Sequence, residues 1–287
     1  MKIDLQLHST YSDGYLTPRE LANLLKVNHV KIAALTDHHT VSGLAEFKQA
    51  CQKYQIKVIP GIELYVRLNN RKFNLLWYNF IDDHPDLHKI LLANQARRRT
   101  QVKHWLMKLK KRGFIMQIEK ILNKYHYYIP LNHVIENIFS LTDNEKKLIS
   151  QLGSLAHRIE EIIYFLYKSL RLTRPAECYI GLPIILKLRK KIGGQLILNH
   201  PGKHGQLDKN LIMTLKKMGL DGIEVISPHH SIGAIMHIQA LAQQHKLITT
   251  GGSDFHRFEP GRVFLKSNFD YFTIESKYLK GIKKIIG

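Results

Sequence analysis

Short apolar runs alternate with amphipathic helical stretches over much of the chain, and this alternation limits the folds open to it. The stretch after the first run begins with Thr17-Pro18-Arg19-Glu20, a capping box with proline at the first helical position. Regular alternation of strands and helices favours an α/β fold built on a parallel sheet or a barrel. The apolar runs predict strands at residues 3–7, 32–35, 57–59, 73–78, 195–198, 222–226 and 247–249.

The middle of the chain, residues 82–179, has a different pattern. Helical periodicities are long there, Gly and Pro are few, and no strand is evident. Because the strand–helix alternation resumes afterwards, we predict a helical insertion over residues 82–179 within a barrel formed by residues 1–81 and 180–287. The insertion's clearest apolar stripe at helical spacing is Val102, Trp105, Leu106 and Leu109.

The charge of the chain points to its partner rather than to its fold. Of 287 residues, 43 are Lys or Arg and 23 are Asp or Glu, so the net charge is +20. This balance predicts a polyanionic partner, either nucleic acid or a phosphorylated small molecule. No run approaches the roughly 18 apolar residues of a membrane span, and the N-terminus lacks the apolar stretch of a signal peptide. Two cysteines are too few for a disulfide framework or a thiolate zinc site. We therefore expect a soluble cytoplasmic protein, with no membrane partner and no predictable protein partner.

Polar residues gather where the predicted strands end. In a parallel barrel these positions fall on one rim, at the carboxyl ends of the strands, where active sites form. Imidazole and carboxylate donors suit Zn²⁺, Mn²⁺ or Fe²⁺, and there are too many of them for one ion, which indicates a multinuclear site. These rim residues are His8, Asp13, Asp37, His38, His39, Glu63, Asn199, His200, Ser227, His229, His230, Asp254 and His256.

The chain contains five motifs in a fixed order, which are Asp4-Leu5-Gln6-Leu7-His8-Ser9, Thr36-Asp37-His38, Pro60-Gly61-Ile62-Glu63, Asn199-His200-Pro201 and Gly252-Ser253-Asp254-Phe255-His256. Together they resemble the PHP (polymerase and histidinol phosphatase) family of metal-dependent phosphoesterases. Within the insertion, residues 167–170 and 174–176 resemble the branch of 3′,5′-nucleoside bisphosphate phosphatases and RNase AM-type 5′→3′ exoribonucleases. The resemblance implies a distorted TIM-like (β/α)7 barrel with a helical insertion, which holds two to three divalent ions of Mn, Zn or Fe.

The same resemblance implies a role for each matching residue. His230 corresponds to a residue near the scissile phosphate, and together with Asp13 and His256 it is a candidate catalytic residue. The implied metal ligands fall into three sets, which are His8, Glu63 and Asp254; Glu63 and His200; and Asp13, His38 and His256.

Several positions depart from the family pattern. Gln6 and Asn74 stand where the family has histidine, and a neutral amide oxygen is a harder and weaker ligand for transition metals. We therefore expect weakened metal sites and reduced activity. His39 stands where the family usually has aspartate; it is a candidate for substrate contact or replacement ligation, or else simply an exposed histidine. The insertion's usual phosphate-contact motif is poorly matched, and His157-Arg158 is a weak remnant of it.

The leading hypothesis is a metal-dependent phosphoesterase that directs metal-activated water at 3′,5′-nucleoside bisphosphates or at the 5′ end of short RNA. Basic residues of the insertion either hold further phosphates or form a solvated helix face. Three tyrosines of the insertion either stack bases or pack in its interior. The basic candidates are Arg97, Arg98 and Arg99, and the tyrosines are Tyr125, Tyr127 and Tyr128.

Two other functions stay open at this stage. The loss of two expected histidines is compatible with a catalytically weakened PHP-fold protein that binds nucleotide or RNA. A metabolite phosphatase of the histidinol-phosphate type uses the same metal chemistry, although the insertion and the charge favour a larger polyanion.

Overall fold

The computed structural model describes residues 1–152, 159–203, 207–258, 269 and 272–287. The chain divides into two compact units, one formed by Met1–Leu91 with Tyr179–Gly287 and the other by Leu92–Cys178. The remnant motif predicted at residues 157 and 158 lies outside the described residues. No helix in the described ranges is both long enough and apolar enough to cross a bilayer.

The strands of the first unit, numbered along the chain with the ranges given below, form one sheet. Their order in it is β8-β7-β6-β4-β3-β2-β1-β9, and β5 pairs with β3. A parallel bridge between Leu7 and Phe255 links β1 to the segment after β8, so the sheet is nearly closed into a barrel. This confirms the predicted α/β barrel. The described strands are β1 (Lys2–Leu7), β2 (Ile32–Leu35), β3 (Lys57–Leu68), β4 (Arg71–Tyr78), β5 (Ile180–Gly181), β6 (Gln195–Leu198), β7 (Gly222–Ile226), β8 (Ile248–Gly251) and β9 (Ile274–Glu275).

The expectation of a parallel sheet is wrong for β4, which runs antiparallel to both β3 and β6. The pairing of Leu68 with Arg71 leaves a two-residue turn, and Asn69 adopts a φ of 53° there. Asparagine tolerates this left-handed conformation, which tight hairpin turns require. As a result β4 begins beside the residues that end β3, and Asn74, which is paired with Tyr65, lies at the same end of the sheet as Glu63.

The described helices carry the local signals expected of them. At the start of α1, the Glu20 backbone N–H donates to Thr17 Oγ1, and the Thr17 N–H donates to Glu20 Oε2 at 2.7 Å, which completes the predicted capping box. The helices are α1 (Pro18–Val27), α2 (Leu44–Gln52), α3 (Pro85–Lys111), α4 (Ile118–Asn123), α5 (Leu131–Phe139), α6 (Thr142–Leu152), α7 (Ile159–Tyr164), α8 (Leu182–Ile192), α9 (Lys209–Lys217), α10 (Ile232–Gln244) and α11 (Lys283–Ile286).

Alternate residues of β4 connect the apolar interior to the polar end of the sheet. Leu76 and Tyr78 are fully buried in a cluster that also contains Ile285 and Ile286 of α11. Asn74 lies on the same face of the strand, because side chains alternate along it. The polar rim therefore stands at one end of a packed apolar cluster, which gives its side chains a rigid support.

The second unit has an apolar core of its own. The predicted stripe of α3, which includes Val102 and Trp105, is buried together with Val134 and Ile138 of α5. Among the described residues of this unit no strand is present. The helical character predicted for the middle of the chain is thus what the structure has there.

Candidate metal centre

The loop after β1 brings two of the predicted ligands into place. His8 is fully buried, and Asp13 follows it on a tight loop. Asp37, itself 2% exposed, accepts hydrogen bonds from the Ser9 N–H at 2.7 Å and from the Ser9 and Ser12 hydroxyls at 2.6 Å each. Asp37 therefore fixes the loop between His8 and Asp13.

Gly14 ends this loop because no side chain fits there. A Cβ at this position would lie 2.2 Å from the His8 carbonyl oxygen, well inside van der Waals contact. The glycine of the Asp13-Gly14 pair thus allows the chain to return against the backbone of His8.

One cluster of donors combines residues that follow β1 and β8 with a residue in the middle of β3. His8 Nε2 is 3.2 Å from Glu63 Oε2 and 3.1 Å from Asp254 Oδ1. Glu63 is 1% exposed and Asp254 is 7% exposed. The ligand atoms of these three residues all lie within 4.8 Å of one another, so they form a group that can hold a cation.

A second cluster gathers around Asp13. Its Oδ1 is 3.4 Å from His8 Nδ1 and 3.3 Å from His256 Nε2, and its Oδ2 is 3.3 Å from His38 Nε2. The rings of His8 and His256 stack with their centroids 4.2 Å apart. This is the set that the resemblance implies for a third ion, with His8 added to it.

The two departures from the family pattern both face carboxylates. Gln6 Nε2 donates to Asp254 Oδ1 at 2.8 Å, and Asn74 Nδ2 donates to Glu63 Oε1 at 2.7 Å. Asn199 Nδ2 donates to the same Glu63 oxygen at 2.8 Å. Carboxamide groups therefore occupy one side of Glu63, which leaves His200 Nε2, at 3.4 Å, as the imidazole on that side.

His229 belongs to the rim, although the resemblance gave it no role. Its Nε2 lies 2.6 Å from Asp254 Oδ2, and its ring meets the ring of His200 edge-on at 5.1 Å. The three side chains form a further group of possible ligands. The sequence contained the signal, because His229 stands three residues after the sixth predicted strand. His230 follows it, however, and the pattern does not show which of the two faces the rim.

His230 is held between two backbone groups at the rim, and its catalytic role stays a prediction. Its Nδ1 lies 2.9 Å from the Val225 carbonyl oxygen, and its Nε2 accepts the Gly202 N–H at 3.1 Å. Burial lowers the pKa of the imidazole, so the neutral ring fits both contacts. With both ring nitrogens engaged by the backbone, His230 holds the two rim loops together.

His39 is buried rather than exposed. It is 1% exposed, and its Nε2 accepts the Tyr65 N–H at 3.1 Å. A φ of 52° turns the backbone at this position away from the regular strand direction. The alternative of an exposed histidine is therefore wrong, whereas the substrate contact at His39 stays a prediction. The residue ties the segment after β2 to β3.

The arginine run of the insertion splits into residues with different surroundings. Arg98 is 1% exposed and pairs with Glu177 at 2.9 Å, so the structure gives its guanidinium a partner within the protein, and its substrate contact stays a prediction. Arg99 Nη1 donates to the Leu122 carbonyl oxygen at 3.0 Å and thereby caps the end of α4. Arg97 is exposed and remains a candidate for phosphate contact.

The tyrosines of the insertion differ in the same way. Tyr128 is 6% exposed, and its hydroxyl donates to Glu177 at 3.2 Å, while Tyr125 is partly buried against the core of the helical unit. Tyr127, at 38% exposed, is the most exposed of the three.

The buried carboxylates of the rim are neutralised by protonated imidazoles, and a divalent cation can take the place of those protons. Burial opposes ionisation of Asp13, Glu63 and Asp254, yet the histidines facing them hold the pKa of each carboxyl well below its usual range. Burial also opposes protonation of His8, but Asp254 and Glu63 raise its pKa well above the usual value. A divalent ion that displaces the imidazole protons satisfies the same carboxylates, and the donors are the nitrogen and oxygen atoms that such ions prefer. The cluster therefore fits divalent metal ions.

Comparisons with known proteins agree on one family. The sequence pattern of the PHP domain matches residues 4–163. A 5′-3′ exoribonuclease of Haemophilus influenzae is 27% identical over 278 residues, which cover 94% of this chain and 94% of that protein. A 3′,5′-nucleoside bisphosphate phosphatase of Chromobacterium violaceum is 24% identical over 88% of this chain and 87% of its own length. A Bifidobacterium adolescentis structure assigned to the metal-dependent phosphoesterases shares the fold with a TM-score of 0.77 and 18% identity, over 99% of this chain and 95% of that one.

Proposed function

The chain belongs to the PHP domain family, and from that premise we propose that it hydrolyses phosphate esters of nucleotides. The proposed substrate is a 3′,5′-nucleoside bisphosphate or the 5′ end of a short RNA, as the names of two relatives suggest. The relatives are hydrolases of phosphate esters, which confirms the prediction that this chain is one as well. Its two cysteines, Cys51 and Cys178, are buried and unpaired, which is in keeping with the cytoplasmic location proposed for it.

The donor set of the rim is the observation that carries this proposal. Three carboxylates meet the rings of His8, His38, His200, His229 and His256 at one end of the barrel. Buried acids without fixed cations are costly unless protons or metal ions neutralise them. A cluster of buried acids lowers the stability of the fold, so a purely structural role does not explain it. It suits the binding of metal ions that act on phosphate.

When bound, divalent ions activate water for attack on phosphorus and neutralise charge on the phosphate oxygens. One ion would be held by His8, Glu63 and Asp254. Another would be held by Asp13, His38 and His256. Asp37 keeps the loop between His8 and Asp13 in one conformation, so the two groups of ligands keep their positions relative to each other. We propose two to three ions of Mn, Zn or Fe.

Phosphate release and metal content test the proposal together. Protein purified without chelators should contain about two or more transition-metal ions per chain, measured by plasma mass spectrometry. It should release inorganic phosphate from a 3′,5′-bisphosphate, or mononucleotides from a 5′-monophosphorylated oligoribonucleotide, in the presence of Mn²⁺. Release of phosphate alone assigns the phosphatase activity, whereas stepwise shortening of the RNA assigns the exonuclease. Metal-loaded protein that turns over neither substrate contradicts the proposal.

The carboxamides at Gln6 and Asn74 favour a second candidate, a weakened enzyme that mainly binds nucleotide or RNA. Both amides donate to carboxylates that the family resemblance assigns to metal ions. Salt-dependent binding of RNA without turnover and with little bound metal would favour this candidate.

A further inference from the structure

Asn74 stands where the family has histidine, so the second implied ion lacks an imidazole on the Asn74 side of Glu63. Of the residues implied to hold it, Glu63 and His200 remain. Glu63 Oε1 accepts hydrogen bonds from Asn74 at 2.7 Å and from Asn199 at 2.8 Å. Two neutral donors on one oxygen reduce its availability to a cation.

His200 has imidazole and carboxylate neighbours on its other side. The ring of His229 meets it edge-on with the centroids 5.1 Å apart, and His229 Nε2 is 2.6 Å from Asp254 Oδ2. The donor atoms of His200, His229 and Asp254 lie within 4.8 Å of one another. Donors that bind one cation at about 2.1 Å are separated by up to about 4.2 Å, so a small inward movement suffices.

Asp254 divides its two oxygens between the neighbouring groups. Oδ1 faces His8 at 3.1 Å, in the group that also contains Glu63, whereas Oδ2 faces His229. If ions occupied both groups, each oxygen of Asp254 would belong to one of them. His229 thus lies at one oxygen of Asp254 and His8 at the other.

The backbone holds this arrangement in place. His200 and Asp254 have φ values of 22° and 48°, which are uncommon for residues with a side chain. The His200 N–H donates to Glu224 Oε2 at 3.1 Å, and Glu224 is fully buried. His229 is 30% exposed, so this side of the rim is open to a ligand from solution.

We propose that His229, with His200 and Asp254, forms a cation site that replaces the imidazole ligation lost at Asn74. The inference rests on the proposed function, since it concerns the metal centre of the same rim. It assigns His229 as a ligand, which the family resemblance does not supply. The second ion would then bind on the Asp254 side of His200 rather than on the Asn74 side.

Binding of Co²⁺ tests the site without any catalytic assay. Co²⁺ is titrated into chelator-treated protein, and the stoichiometry and visible absorption are recorded for wild type, His229→Ala and His237→Ala. His237, an exposed histidine of α10 away from the carboxylates, is the matched control. We expect His229→Ala to lose one Co²⁺ per chain, or to bind it at least about 10- to 100-fold more weakly, the cost of losing even a supporting residue. His237→Ala should match wild type.

A rescue variant separates a lost ligand from a damaged fold. In the His229→Ala background, Asn74→His returns an imidazole to the other side of His200, and we expect the missing Co²⁺ to bind again. Retention of the remaining Co²⁺ by His229→Ala shows that the rim is folded. Equal stoichiometry and affinity in wild type and His229→Ala overturns the inference while the proposed function stands. Wild-type protein that binds no Co²⁺, Mn²⁺ or Zn²⁺ and releases no phosphate overturns both.

Discussion

The rim of the barrel and the helical unit both bury charge, but they neutralise it in different ways. In the helical unit, Arg98 Nη1 lies 2.9 Å from Glu177 Oε2, so a guanidinium and a carboxylate neutralise each other. At the rim, Glu63 and Asp254 face imidazoles and carboxamides instead. A guanidinium keeps its proton at any physiological pH, whereas an imidazole nitrogen gives up its proton when it binds a metal ion. The arginine pair is therefore a permanent structural element, and the rim can exchange protons for metal ions.

Asp13→Ala should give the largest effect on activity. The carboxylate faces His8, His38 and His256, so its removal takes away the centre of one ligand set. We expect phosphoester hydrolysis to fall on the order of 10³-fold, above the roughly 10- to 100-fold typical for a supporting residue. Rates with Mn²⁺ are compared with those of Asp83→Ala, an exposed carboxylate outside the rim. Full activity of Asp13→Ala would remove Asp13 from the site.

Arg98→Ala should instead lower stability. Removing the guanidinium leaves the carboxylate of Glu177 partly buried and removes the hydrogen bond to the Ile129 carbonyl oxygen. Loss of one partner of a buried pair costs about 3–5 kcal/mol in the free energy of unfolding. The effect is measured by denaturant unfolding in a Trp77→Phe background, where Trp105 fluorescence reports on the helical unit alone. An unchanged unfolding midpoint would show that the ion pair is not part of what stabilises this unit.

Much of the barrel was predictable because strand–helix alternation and apolar runs are local properties of the sequence. The direction of β4 was not, since it depends on the two-residue turn at Asn69, which a search for strands alone passes over. That direction matters for function, because it brings Asn74 to the rim beside Glu63. In a wholly parallel barrel a residue early in its strand would lie at the opposite end.

The candidate site was predictable in residue type and less so in orientation. His229 and His230 are adjacent, yet one faces Asp254 and the other bonds to the backbone of Val225 and Gly202. The burial of Arg98 could have been predicted from its position in the sequence. It precedes Val102 by four residues and Trp105 by seven, so helical spacing places it on the apolar stripe. Arg97, one residue earlier, points elsewhere.

Gln6→His combined with Asn74→His should strengthen the weaker side of the rim. Both amides now donate to carboxylates, and imidazoles at these positions would offer nitrogen ligands instead. We expect Mn²⁺ or Zn²⁺ to bind about tenfold more tightly, within the range by which ligand surroundings tune affinity. Isothermal titration of wild type and double variant gives the comparison. Unchanged affinity would show that the carboxamides do not limit metal binding.

Arg97→Ala should have the smallest effect, and it separates the two parts of the arginine run. Arg97 is exposed, so its loss should leave the unfolding midpoint at the wild-type value, in contrast to Arg98→Ala. If the guanidinium contacts an RNA phosphate, the apparent Kd for a 5′-monophosphorylated oligoribonucleotide should rise a few-fold at low salt, and the slope of log Kd against log salt should fall by about 1. Fluorescence anisotropy at several salt concentrations measures both quantities. The same slope in wild type and variant would show that Arg97 belongs to a solvated helix face, and that the positive charge of this helix acts on RNA only through the general field of the protein.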